Sequence, residues 1–129
     1  MQTSITIKTF LLLLLFSTSP AWAEWVKVAE TDRAIFYIDP ATIRKEGNLR
    51  KAWEVHDFKT RQADGNMSDR LKNEYDCKNE RNRLLAGSKH PESMGGGRTI
   101  FNQSEESTNW NHIPPGTAAA TILKIVCAQ

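Results

Sequence analysis

Leu49-Arg-Lys-Ala-Trp-Glu-Val-His-Asp-Phe58 decides the fold. Ten residues without Gly or Pro, rich in aromatic and aliphatic side chains, make a long β-strand. Strand side chains alternate between faces. Leu49, Lys51, Trp53, Val55 and Asp57 share one face; Arg50, Ala52, Glu54, His56 and Phe58 share the other. The first face holds Leu, Trp and Val and is expected to meet the core. The second is mainly polar and is expected to face water. A strand with one wet face belongs in an antiparallel sheet.

Strands extend in both directions from this segment. Glu46-Gly47-Asn48 reads as a hairpin turn in which Gly47 supplies a positive φ. Before it, Asp39-Pro-Ala-Thr-Ile43 reads as a short helical turn. Asp39 is the cap there, and Pro40 sits where a missing N–H costs nothing. Ile35-Phe-Tyr-Ile38 forms the heart of a buried strand over Arg33 to Asp39, and Trp25 to Ala29 forms another. Downstream, residues 59–68 make a polar connection. Strands follow at Arg70 to Asn79, Arg81 to Ser88 and Arg98 to Asn102, with a loop at Glu92 to Gly97.

The period changes at the end of the chain. Pro114-Pro115-Gly116 breaks the chain, Thr117 caps, and Ala118-Ala-Ala120 favours a helix. Ala119, Ile122, Leu123, Val126 and Cys127 fall on one helical face, and Thr121 and Lys124 on the other. The expected fold class is α+β: an antiparallel sheet of about six strands with a C-terminal helix packed on one face.

The start of the chain bears on its compartment. Lys8, the apolar run Phe10 to Phe16 and the ending Ala21-Trp22-Ala23 read as a secretory signal peptide over residues 1–23. The apolar run is shorter than the roughly 20 residues of a membrane-spanning helix. The mature domain is then expected over residues 24–129, exported to the periplasm or the medium. No membrane span is expected, because no second long apolar run follows Ala23, and no lipid anchor, because the leader carries no cysteine. Lys8 leaves with the leader, so 16 Lys plus Arg face 15 Asp plus Glu, a net of +1. Such a balance gives no global attraction to nucleic acid. Both cysteines, Cys77 and Cys127, lie in the mature chain. In an oxidising compartment they are expected to pair, the alternative being two free buried thiols.

These residues together resemble a known family. Trp25, Phe36-Tyr-Ile-Asp-Pro-Ala-Thr-Ile43, Gly47-Asn48 and Trp53 come first. Glu74-Tyr-Asp-Cys77, Arg83-Leu-Leu-Ala86 and Met94-Gly-Gly-Gly97 follow, and then Trp110, Pro115-Gly-Thr117 and Ile125-Val-Cys127. In that order they are similar to the surface-adhesin protein E family of small exported bacterial proteins, across nearly the whole mature chain. The resemblance implies a strongly curved antiparallel sheet with the C-terminal helix tethered to it by one disulfide. It also implies an exported, non-enzymatic binding domain without cofactor. Its partner would be a protein or other envelope or extracellular macromolecule, and a homodimer is a further association the family suggests. Two alternatives are an envelope-maintenance protein of the periplasm and a small inhibitor of an envelope-targeting hydrolase.

Candidate chemistry is sparse. His56, His90 and His112 lack zinc-ligand spacing. Gly95-Gly96-Gly97 lacks the Lys-Ser/Thr ending of a phosphate loop and reads as a turn. Asp32, Asp39, Glu54, Asp57 and Asp76 are read as exposed charges rather than an acid–base pair. No catalytic, cofactor or metal residue is assigned. Lys78, Arg81 and Arg83, near Tyr75, form the densest basic stretch and are the candidate partner-binding residues. At least two of Trp25, Trp53 and Trp110 are expected in the core. The sheet face left uncovered by the helix is the expected binding surface.

Overall fold

The computed structural model describes residues 23–129. The expected leader lies outside the described residues apart from its last position. Eight strands form one antiparallel sheet: β1 (Val26–Glu30), β2 (Ala34–Ile38), β3 (Arg44–Glu46), β4 (Leu49–Phe58), β5 (Ser68–Asp76), β6 (Arg81–His90), β7 (Phe101–Gln103) and β8 (Asn111–His112). Helix α1 (Ala118–Cys127) closes the chain. The main path runs β1-β2-β4-β5-β6-β7. Two short strands, β3 and β8, were not expected from the sequence. β3 shares an edge of β4 with β2, and β8 shares an edge of β6 with β7.

Local chemistry sets the boundaries. Asp39 caps a 3-10 turn at Pro40–Thr42 by accepting from Ala41 N–H at 3.1 Å. This turn moves the chain from β2 to β3 along the same neighbour. Gly47 takes φ 56°, as the β3–β4 hairpin requires. Thr117 caps α1 by accepting from Ala120 N–H at 3.2 Å. Thr121 and Lys124 are exposed, whereas Ile122, Leu123 and Val126 are buried.

The core lies between α1 and one face of the sheet. Ile38, Ala52, Tyr75, Ile113, Ile122, Leu123 and Val126 form it. Cys77, just past β5, is bonded to Cys127 at the end of α1, with a Cα–Cα distance of 5.8 Å. The open antiparallel sheet, the helix and the disulfide agree with the expected class.

The face assignment of β4 does not. The helix covers the face expected to be wet, since Ala52 is in the core and Arg50 and Glu54 are buried with it. Cross-strand partners explain the reversal. Glu54 is fully buried and accepts from Tyr75 Oη and from Asn73 Nδ2, the latter at 2.9 Å. Its other oxygen lies 2.9 Å from His56 Nε2. Arg50 donates to the Gly47 and Leu49 carbonyls at 2.8 and 3.0 Å. A buried charge is tolerated when its hydrogen bonds are made: the neighbouring strand supplies those of Glu54, and the hairpin takes up Arg50 Nη1, while Arg50 Nε is left without a partner. Glu54 and Asp76 are therefore corrected from exposed to buried, as is Asp39. Tyr75 is likewise a core residue.

Candidate functional site: the sheet face opposite the helix

Pairing register lays out the other face as a grid. Arg44, Lys51, Glu74 and Arg83 stand in one row across β3, β4, β5 and β6. Leu49, Asp76, Arg81 and His112 make the row on one side. Trp53 and Lys72 make the row on the other, followed by Val55 and Arg70. Beyond these, residues 91–97 fold over the end of the face. Gly95 N–H donates to Ser68 Oγ at 2.8 Å, and Met94 N–H donates to Asp57 Oδ1 at 3.0 Å. The glycine triplet is thus a pinned turn, with Gly95 and Gly97 at φ 74° and 75°. It leads toward strand β7, not a helix.

The expected residues Lys78, Arg81 and Arg83 separate into two places. Asp76 builds the β5–β6 turn by accepting from the N–H groups of Lys78 and Asn79, both at 3.1 Å. That turn carries Lys78 outward, exposed. Arg81 and Arg83 stay on the sheet. Arg81 Nε donates to Asp76 Oδ2 at 2.8 Å, and Arg83 Nε donates to Glu74 Oε1 at 2.8 Å. Pairing β8 with β6 lays Trp110 beside both guanidinium groups. Their central carbons are 4.7 and 4.4 Å from the ring centroid, within range of cation–π attraction. Hydrogen bonds from Asn79, then from Arg81, hold the Asp76 carboxyl down at about 2, from an ordinary 3.8. The Asp76 carboxylate therefore stays charged beside Arg81 at neutral pH.

A second group on this face escaped the sequence reading. Arg44, Lys51, Arg70 and Lys72 surround Trp53, and Arg70 Cζ lies 4.9 Å from the Trp53 ring centroid. A shallow hollow of about 400 Å³ includes Arg44, Lys51, Lys72 and Glu74 in its lining. An adjoining one of about 210 Å³ is lined by Thr42, Arg44, Lys51, Trp53 and Lys72. These cations come from three strands, Arg44 from β3, Lys51 from β4 and Arg70 and Lys72 from β5, so no local run betrays them. The alternation that places Lys51 beside Trp53 was the available signal, but that face had been assigned to the core. Trp25, Trp53 and Trp110 are half-buried and outside the core cluster, contrary to expectation.

The histidines stay apart in role. His56 contacts Glu54 on the helix side, His90 is buried beside Ser88 Oγ at 2.7 Å, and His112 is exposed. Among the described residues, no group of three or more His, Cys, Asp or Glu side chains could hold a metal ion. Among the same residues, no helix is long and apolar enough to cross a membrane.

The family model described as surface-adhesin protein E matches residues 25–128. The chain belongs to the surface-adhesin protein E family. Solved structures of Haemophilus influenzae protein E share its fold. The selenomethionine form aligns with a TM-score of 0.64 at 15% identity, covering 83% of this chain and 88% of that one. Crystal form II aligns with a TM-score of 0.62, again at 15% identity, covering 83% and 89%. No curated protein matches the sequence.

Proposed function

We propose that this chain is an exported, non-enzymatic binding domain that docks a macromolecule on the sheet face opposite the helix. Family membership supports the binding class. One observation carries the choice of surface: the opposite face is occupied by α1, while this one presents two tryptophan–arginine clusters on a rigid sheet. Tryptophan and arginine are the residue types richest in binding hot spots. The Arg81–Asp76 and Arg83–Glu74 pairs orient their guanidinium groups before a partner arrives, which lowers the ordering cost of association.

Fractionation of the native host, with and without surface protease, tests the exported part of the reading. The protein should leave the cytoplasm and begin at Glu24 by intact mass. Cleavage by surface protease would support an adhesin role. Protection until the outer membrane is opened would support a periplasmic partner. A cytoplasmic protein retaining residues 1–23 would overturn the proposal.

A further inference from the structure

The charges on the open face do not balance locally. Glu74 and Asp76 are matched by Arg83 and Arg81 at 2.7 and 2.8 Å. Lys51 reaches only the far oxygen of Glu74, at 3.9 Å. Among the described residues, Arg44, Arg70 and Lys72 have no carboxylate within ion-pair distance, and all three stand next to Lys51 or Trp53 on the grid. A domain with an expected net charge of +1 therefore gathers four cations around one tryptophan.

We infer that this cluster binds a sulfated glycan chain. The inference rests on the open face being the docking surface and names its ligand. Charge complementarity selects the ligand class. Isolated cations held on neighbouring strands, ~4.8 Å apart, suit a chain that bears an anion on successive rings. Lysine and arginine both make charge-assisted hydrogen bonds to sulfate oxygens. Trp53 lines the smaller hollow and offers an apolar face for a sugar ring to lie against. The hollows are open and shallow, which fits an extended polymer better than an enclosed small molecule. A compact local cluster, rather than a basic molecule overall, disfavours a long nucleic-acid track.

Calorimetric titration of the mature protein with a size-defined sulfated oligosaccharide tests this. The desulfated oligosaccharide, a single-stranded oligodeoxynucleotide and an acidic peptide serve as comparisons. The sulfated chain should bind best, and binding should weaken as salt rises. Lys51→Gln with Lys72→Gln should weaken it about tenfold or more. Arg44→Gln, on exposed β3, should weaken it too and serves if the double variant fails to fold. Lys89→Gln with Lys124→Gln removes the same charge on the helix side of the sheet and should leave binding unchanged. Equal binding of the oligonucleotide or peptide, equal loss in the Lys89 and Lys124 double variant, or no binding of the sulfated chain would each overturn the inference. A macromolecular partner that docks on the open face while the sulfated chain does not bind would overturn the glycan alone. Failure of every partner to use that face would overturn the docking surface as well.

Discussion

Glu54 is the residue on which the helix-covered side depends. Its carboxylate is fully buried and is held by Tyr75, Asn73 and His56. Burial, and then the nearby Glu54 charge, pushes the Tyr75 hydroxyl well above its ordinary 10, so it stays a donor. Tyr75→Phe removes that donor without removing the ring. It should cost about 1.5–3 kcal/mol, the range for losing a hydrogen bond to a charged group. Urea denaturation measures it, and a cost near zero would show that Glu54 finds another partner. Asp76 gives a pH-dependent counterpart. Its folded value of about 2 lies below the ordinary 3.8. Its stabilisation is therefore fully present above pH 3.8 and fades as pH falls toward 2. The gap in stability between wild type and Asp76→Asn should be about 1–2 kcal/mol at neutral pH, after allowance for solvent screening. Denaturation curves between neutral pH and pH 2 should show the two proteins converging. A gap independent of pH would refute the assignment.

At the scale of elements, the tether decides how α1 behaves. The Cys77–Cys127 bond spans a sequence separation of 50 residues. The loop-entropy relation gives about 4 kcal/mol for a loop of that size. Cys127→Ser should loosen α1 before the sheet, because the helix rests on β1, β4 and β5 without being hydrogen-bonded into them. Hydrogen exchange should show faster exchange across residues 118–127 and little change in β4 and β5. Unchanged protection in α1 would contradict this. Most element boundaries were legible in the sequence because they rest on local signals. Thr117 caps α1, Asp39 caps its turn, and Gly47 marks the hairpin. The orientation of β4 was not legible. Period-2 alternation compares apolar content, and by that measure Leu49, Trp53 and Val55 outweigh Ala52. What reverses the choice is the satisfaction of Glu54 by Asn73 and Tyr75, 19 and 21 residues away. Val55 is buried all the same, on the face where residues 91–97 fold over. The Arg44–Lys51–Lys72 cluster was hidden for the same reason, since it exists only once three strands are in register.

The whole molecule is two-sided. One side of the sheet is sealed by α1 and the disulfide, and the other displays aromatic rings among fixed and unmatched cations. In the proposed function, one face serves stability and the other recognition. It also explains why the Lys78–Arg83 stretch is a poor place for charge reversal. Arg83 guards buried Glu74, and reversing it would set two carboxylates together at a cost of about 3–5 kcal/mol. Exposed Arg44 and the solvent side of Lys72 report on binding without that penalty. Site-specific photo-crosslinking in the native host is the most direct test of the open-face claim. A photoreactive residue would replace Lys72 or Arg44 on the open side, or Lys124 on the outer face of α1. Open-side positions should give a discrete adduct and Lys124 none. Adducts from Lys124 alone, or equally from all three positions, would contradict the account.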